Sequence, residues 1–304
     1  MILITEFMDM AAVRSLMAER PTVYAPDLAD RQGEIPSRLK GVHALVVRNR
    51  TQVTPALLAA GKDIRVIGRL GVGLDNIDVE ACRARNVEVV TAAGANARSV
   101  AEYVVASVLV LLRSAFHASD SVRDGQWPRS QCFGRETAGR RLGLVGIGQT
   151  ARETARLARG LGMEISAFDP FVPAEDAIWN GIRRVSLDAL LETVDALSLH
   201  VPLTPKTRHL INADRLARMR PGSVLINAAR GGIVDEPALA TALRSGHIAG
   251  AALDVFDTEP LTAEVAGIFQ GIPNLVLTPH IAGVTSDSNE RVSALIASKV
   301  LERV

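Results

Sequence analysis

Short apolar runs recur through the first third of the chain: MILITEF, PTVYAP, ALVVRN, IRVIGRL and VEVVTA. Each has the length and β-branched content of a strand, and helical or loop stretches separate them. Such alternation predicts an α/β fold with parallel sheets and helices on their faces. The pattern then changes. The stretch ANARSVAEYVVASVLVLLR is apolar nearly all round, which predicts a long buried helix. Either its own domain or a second subunit would cover it. Ser99 and Glu102 have the S-x-x-E spacing of a capping box at its start. The polar, turn-rich segment GQWPRSQCFGRETAGR reads as an arm leading into the second half.

That half opens with LGLVGIG, a buried strand running into glycines. Gly146, Gly148 and Ala151 complete G-x-G-x-x-A, a permitted form of the dinucleotide fingerprint. Gly146 allows a tight turn, Gly148 lets backbone approach a pyrophosphate, and Ala151 lets the following helix pack against the strand. The N-terminal amides of the helix TARETARLARGLG would point at the phosphates. A second strand, MEISAFD, ends at Asp169, about 20 residues on, where a ribose-binding acid belongs. Pro170 and Phe171 follow instead of a basic residue, so NAD is favoured over NADP. Strand and helix patterns then continue to NLVLTPHIAG, with no internal repeat. A dinucleotide unit starting mid-chain predicts a first domain of about 95 residues. The closing segment SDSNERVSALIASKVLERV is an amphipathic helix, expected to return to that first domain and make it discontinuous.

Composition narrows the function classes. The 304 residues are 48% hydrophobic with mean hydropathy +0.18, enough for about two well-cored domains. A net charge of +1 argues against broad electrostatic binding to nucleic acid or anionic membrane. Cys82 and Cys132 make neither a disulfide framework nor a zinc site and read as packing thiols. His43, His117, His209 and His247 lack metal-ligand spacing, so no metal site is expected. The N-terminus has no basic region ahead of a long apolar core, and VVASVLVLL is too short to span a bilayer. A soluble cytoplasmic protein is the expectation. Lys40, Lys62, Lys206 and Lys299 are the only lysines among 34 basic residues. Any single arginine is therefore weak evidence for a ligand.

Three separated residues carry candidate chemistry: Arg230 in NAARGGIVDE, Glu259 in ALDVFDTEP and His280 in TPHIAG. A guanidinium can hold a carboxylate in bidentate fashion, and an imidazole can take or give a proton. A carboxylate touching that imidazole would favour its charged form. His200, in LHVPL, reads as structural or as a ring near a cofactor cleft. Asp75 and Asp78, in GLDNID, read as turn and capping groups.

With these residues in place, the chain resembles the D-2-hydroxyacid dehydrogenases, and within them the 3-phosphoglycerate dehydrogenase branch. The resemblance covers nearly the whole chain. It rests on IGRLGVGLDNID, GANARSVAEY, the fingerprint with Asp169, LHVPLTPKTRHLI, NAARGGIVDEPAL, AALDVFDTEP and TPHIAG. It implies two Rossmann-like doubly wound domains with the active site in the cleft between them, and a homodimer formed through the cofactor domain. The chain would cross between domains near Asn96 and Gly283. Residues 1–95 with 284–304 would form the substrate domain, and residues 96–283 the NAD-binding domain.

The resemblance also implies roles. Arg230 would bind the substrate carboxylate or carbonyl, His280 would be the acid/base, and Glu259 its charge partner. Gly146, Gly148, Gln149 and Thr150 would lie at the pyrophosphate, Asp169 on the ribose, and Asp254 near the nicotinamide. Val201, Ala228 and Ala229 would line the cofactor cleft. Val72 and Gly73 would offer backbone to the substrate carboxylate, with Asn96 close by. Arg48, Arg69 and a third arginine, Arg129, match positions that receive a substrate phosphate. Arg98 departs from the family's small or apolar residue, either adding charge for the substrate or serving as surface background. The resemblance is to a short form without the regulatory C-terminal domain of many phosphoglycerate dehydrogenases, which would leave room for other acids. The expected function is NAD-dependent hydride transfer on a small 2-hydroxy acid with a C3 anion. Alternatives are a sulfolactate dehydrogenase, a hydroxypyruvate or glyoxylate reductase and, outside enzymes, an NAD-sensing regulatory module.

Overall fold

A computed structural model describes residues 1–304. Twelve strands follow one another as β1 Ile2–Ile4, β2 Thr22–Tyr24, β3 Ala44–Val47, β4 Val66–Arg69, β5 Glu88–Thr91, β6 Arg141–Val145, β7 Glu164–Phe168, β8 Arg183–Arg184, β9 Ala196–Leu199, β10 Ser223–Asn227, β11 Ile248–Leu253 and β12 Leu275–Leu277. The helices are α1 Met10–Glu19, α2 Pro55–Ala60, α3 Val79–Ala84, α4 Ala97–Arg113, α5 Ser119–Arg123, α6 Gln149–Gly160, α7 Leu187–Thr193, α8 Ala213–Arg218, α9 Glu236–Arg244, α10 Ala263–Ala266 and α11 Ser286–Leu301. They group into two compact units, Met1–Asn96 with Val284–Val304, and Ala97–Gly283.

The first unit is a five-stranded sheet in the order β2-β1-β3-β4-β5, every pair parallel. Its central strands are apolar on both faces because helices cover both. On one face α1 and α11 pack Val13, Leu16, Val292, Ile296 and Val300 against Ile2, Ile4, Val46 and Val66. The approach is close at Gly68, where an added Cβ would stand 2.9 Å from side-chain carbons of both Ile296 and Val300. The start of α11 is fixed by a reciprocal cap between Thr285 and Ser288. Asp78 caps α3 by accepting the Ala81 amide at 2.8 Å, the capping role its sequence context predicts.

The second unit is a seven-stranded sheet in the order β12-β11-β10-β9-β6-β7-β8, all parallel. Strand order reverses between β6 and β9, which makes the carboxyl ends of those strands the switch point where doubly wound sheets bind ligands. No single helix in the chain is long and apolar enough to cross a membrane.

Helix α4 departs from two expectations. Ser99 and Glu102 do not stand at its N-cap and N3 positions: the helix already runs from Ala97, Ser99 lies inside its first turn, and Glu102 accepts from Arg98 Nε at 2.8 Å. An i,i+4 ion pair thus takes the carboxylate that a capping box would use. Nor is the helix buried all round. Val104, Val108, Leu111 and Leu112 enter the core with α6 and the sheet. Ala106 is exposed, and Val105, Leu109 and Val110 are only half-buried.

Candidate active site

The second unit places its chemistry at one sheet edge. Gly146 follows β6, Asp169 follows β7, His200 and Val201 follow β9, Arg230 lies beyond β10, Glu259 beyond β11 and His280 beyond β12. Because the strands are parallel, all of these loops leave the carboxyl-terminal edge.

The glycine loop meets the steric demands of a dinucleotide. Gly146 has φ +90°, and an added Cβ would lie 2.7 Å from the His200 carbonyl oxygen and 3.0 Å from the Val201 side chain. Only glycine fits that turn. Gly148 caps α6 in an extended conformation with no side-chain bond to the helix amides, and an added Cβ there would meet nothing within 4 Å. The N-terminal amides of a twelve-residue helix therefore open onto free space beside Gln149 and Thr150. Ala151 is fully buried and lets α6 sit on the sheet. Asp169 accepts the amides of Ile147 at 3.0 Å and Phe171 at 2.9 Å, which holds its carboxylate beside the loop. A glycine-capped helix end next to a fixed carboxylate suits a dinucleotide with a free 2′-hydroxyl and would repel a 2′-phosphate. His200 lies across this switch point. Its Nε2 pairs with Ser198 Oγ at 3.0 Å, and loss of water around the ring pushes its pKa down to about 4. It is a neutral imidazole at ordinary pH.

His280 and Glu259 meet. Nδ1 lies 2.7 Å from Glu259 Oε2, while Glu259 Oε1 accepts the Phe256 amide at 3.0 Å. The bond fixes the Nδ1–H tautomer of a neutral ring and leaves Nε2 outward on a half-exposed side chain. His280 sits at φ +53°, a left-handed conformation uncommon outside glycine, asparagine and aspartate. A buried network holds it there. Asp254, 1% exposed, accepts Thr278 Oγ1 at 2.6 Å and the amides of Ile281 and Ala282, each at 2.8 Å. Its carbonyl oxygen accepts the His280 amide at 2.8 Å. The Thr278 proton goes to Asp254, so the Tyr103 hydroxyl, 2.7 Å from Thr278 Oγ1, donates into the chain. Burial, outweighing its bond to Thr278, raises the Tyr103 pKa. Tyr103, Thr278 and Asp254 thus form one ordered relay ending on the two amides after His280.

Arg230 lies on the loop after β10. Asn227 braces that loop, accepting the Ala229 amide at 3.1 Å and donating to the Arg230 carbonyl at 2.9 Å. The Arg230 guanidinium donates to the Ala229 carbonyl at 2.6 Å. Gly231 packs so closely on Phe256 that a Cβ would fall 1.7 Å from its carbonyl oxygen, which ties the arginine loop to the glutamate loop. Beneath them Glu236, 5% exposed, accepts the Asp257 amide at 2.7 Å; burial, with Asp257 and Glu259 adding, pushes its carboxyl up.

Arg48, Arg69, Val72, Gly73 and Asn96 belong to the first unit. There Glu6 accepts the amides of Arg48, Asn49, Arg50 and Thr51 and organises the loop after β3. The Arg48 guanidinium donates to Asn289 Oδ1 at 3.0 Å, and burial lowers its pKa against the raising effect of Glu6. Arg69 Nη1 donates to the Leu70 carbonyl at 3.1 Å. Val72 is exposed and Gly73 and Asn96 half-buried in their loops. Arg98 is spent on Glu102 and lies 3.9 Å from Glu153, the reading of it as a surface arginine. Arg129 sits in an exposed short 3-10 turn. Sequence reasoning missed Tyr103, Thr278, Asn227, Glu236 and Glu6. The available signal for the first was a lone tyrosine on an aliphatic helix, whose buried hydroxyl needs a partner.

Residues 105–282 match the family model described as the D-isomer specific 2-hydroxyacid dehydrogenase, NAD binding domain. The chain belongs to that family. It is an NAD-dependent oxidoreductase, and NAD is its cofactor. Over 300 residues it is 52% identical to the (S)-sulfolactate dehydrogenase of Chromohalobacter salexigens, covering 98% of this chain and 96% of that one. Over 257 residues it is 40% identical to the D-3-phosphoglycerate dehydrogenase of Synechocystis, covering 84% of this chain but 46% of the relative. The structure of D-lactate dehydrogenase from Aquifex aeolicus, complexed with NAD and lactic acid, superposes with a TM-score of 0.84 at 28% identity, covering 99% and 94% of the two chains. The dehydrogenase thus shares its fold with enzymes whose substrates differ at C3.

Proposed function

We propose that this dehydrogenase interconverts a D-configured 2-hydroxy acid bearing an anionic group on C3 with its 2-keto acid, and that (S)-sulfolactate is the foremost candidate. The observation that carries the chemistry is the His280–Glu259 pair at 2.7 Å, with Nε2 outward, on the sheet edge that also carries the glycine loop. When bound, NAD would supply the hydride acceptor for oxidation at C2 and, as NADH, the hydride donor for reduction. The remaining work falls to the chain. His280 Nε2 removes the C2 hydroxyl proton as the C–H bond breaks, and Glu259 steadies the resulting imidazolium. Arg230 holds the carboxylate and polarises the carbonyl that forms. Gly146, Gly148, Gln149, Thr150 and Asp169 hold the pyrophosphate and ribose; Val201, Ala228 and Ala229 line the cofactor's path. Asp254 acts at the nicotinamide end by fixing the His280 loop. Val72, Gly73 and Asn96 of the first unit support the substrate carboxylate, and Arg48 and Arg69 receive the C3 anion.

The stereochemistry is consistent. A sulfonate on C3 outranks the carboxylate in naming priority, which a phosphate ester on C3 does not. The (S) form of sulfolactate therefore has the same arrangement in space as a D-2-hydroxy acid. The 52% identity over nearly two whole chains favours the sulfonate over the phosphate. A desolvated Arg48 held by a neutral amide also suits a C3 anion. We further propose that the enzyme is a cytoplasmic homodimer paired through the open face of α4 with Phe116, Trp127 and Phe133, which are 60%, 79% and 81% exposed.

The test is a panel of initial rates with NAD on both sulfolactate enantiomers, D-3-phosphoglycerate, D-glycerate and D-lactate, and with NADH on the matching keto acids. The expected result is a preference of roughly a hundredfold or more for (S)-sulfolactate over D-glycerate. Arg48→Ala should raise KM for the C3-charged acid and leave that for D-glycerate unchanged. Equal or better turnover of D-glycerate or hydroxypyruvate would overturn the C3-anion reading.

A further inference from the structure

The opposite edge of the seven-stranded sheet, at the amino ends of β6, β9 and β10, gathers a cluster of guanidinium groups around one acid. Asp195, just before β9, is 2% exposed. Its Oδ1 faces Nη1 of Arg220 at 2.8 Å, of Arg140 at 3.6 Å and of Arg135 at 3.7 Å. Its Oδ2 accepts the Arg141 amide at 3.0 Å. Three cations therefore converge on a single carboxylate oxygen, and only Arg220 reaches hydrogen-bond distance. Arg135 is anchored to the Gly222 carbonyl. Burial, with Arg140 and Arg220 adding, lowers its pKa, and Asp195 only partly opposes this. Arg140 makes no side-chain hydrogen bond. A cavity of about 370 Å³ opens at the cluster, lined by Arg140, Arg141, Arg220, Asp195 and, as its remaining acid, Glu192.

Charge is unbalanced at this point. Arg141 is drawn toward Glu164, 3.4 Å away, which leaves three guanidinium groups sharing Asp195. Like charges this close repel, and part-burial weakens the screening that would relieve them. Guanidinium forks match tetrahedral oxyanions, and half-exposed side chains can turn toward a ligand in the cavity without leaving Asp195. The volume admits one such anion with its water. The cavity lies at the sheet edge away from the glycine loop and His280, so neither the cofactor nor the hydroxy acid accounts for it.

We propose that this cavity binds a small tetrahedral dianion of the phosphate or sulfate class, at a site separate from catalysis. The ligand takes up the free donors of Arg140 and Arg220 and balances the two charges that Asp195 leaves over. Glu192 at the rim opposes it and keeps binding weak enough to follow the anion's concentration.

Equilibrium dialysis of labelled orthophosphate tests this. The protein is held at saturating NAD, which occupies the glycine loop, in chloride buffer at constant ionic strength. One phosphate should bind per chain. Arg140→Gln should weaken binding by about tenfold or more, with a nearly unchanged melting temperature in chloride, because the Arg140 side chain makes no hydrogen bond and stands 3.6 Å from Asp195. Glu192→Gln should tighten binding. Displacement of the label by unlabelled sulfate assigns the site to free tetrahedral dianions; displacement by glycerol 2-phosphate but not sulfate assigns it to phosphate monoesters. Equal binding to wild type and Arg140→Gln, or no binding beyond that to chloride, would overturn the proposal.

Discussion

At the residue scale, the two glycines of the fingerprint do different work. Gly146 has φ +90° and carbonyl oxygen where a Cβ would go, so Gly146→Ala should destabilise the unit by about 2 kcal/mol or more from strain and contact together. Gly148 has an ordinary backbone and open space. Gly148→Val should therefore fold normally yet lose cofactor affinity by tenfold or more. Melting curves beside NAD titrations separate the two effects, and a stable Gly146→Ala protein would contradict the assignment. The relay supplies a second prediction. Tyr103→Phe keeps the ring in its place but removes a donor from Thr278. Turnover should fall by about five- to thirtyfold, roughly 1–2 kcal/mol for one lost hydrogen bond, while KM for NAD hardly moves. Faster amide exchange at Ile281 and Ala282 would accompany it. Unchanged exchange would mean that the hydroxyl does not hold the His280 loop.

At the element scale, α4 shows what a linear pattern conveys and what it omits. Apolar length predicts the helix correctly, and the core residues Val104, Val108, Leu111 and Leu112 fall on it as expected. The capping motif misleads because Glu102 can reach either the helix amides or Arg98, and spacing does not rank the two. Tyr103 was illegible for another reason: its partner Thr278 is 175 residues away, and nothing local marks the pair. The glycine loop, by contrast, is legible because all its demands are met within one strand–turn–helix. The meeting of His280 with Glu259 needed the sheet order that brings β11 beside β12. The open face of the helix can be tested directly. Leu109→Asp should convert the proposed dimer to monomer in sedimentation equilibrium without lowering helix content, since Leu109 lies outside the core. A variant that sediments like the wild type would show that pairing lies elsewhere.

At the scale of the whole molecule, His200 makes a contribution to stability that depends on pH. Its folded pKa of about 4 lies below the 6.5 of an ordinary histidine. Between those values the unfolded chain binds a proton that the folded chain refuses. Stability is therefore full above about pH 6.5, falls as the pH drops toward 4, and levels off below that. The loss should amount to about 2 kcal/mol, discounted because part of the residue reaches solvent. His200→Gln should flatten denaturant-derived stability across that window in cofactor-free protein. An unaltered slope would mean that other groups set the acid limb.

The close packing of Gly68 against Ile296 and Val300 bears on how the molecule is made. One face of the first sheet is covered by a helix synthesised more than 200 residues after the strand it touches. Until α11 emerges, Val46, Val66 and their neighbours lack a large part of their cover. The glycine-loop unit, contiguous in sequence, can complete its fold before then. Synthesis thus runs against chain order: the part made later is finished sooner, and the earlier sheet waits with apolar surface exposed. That interval is when a chaperone would be of most use to this chain, and a truncation removing α11 would prolong it indefinitely.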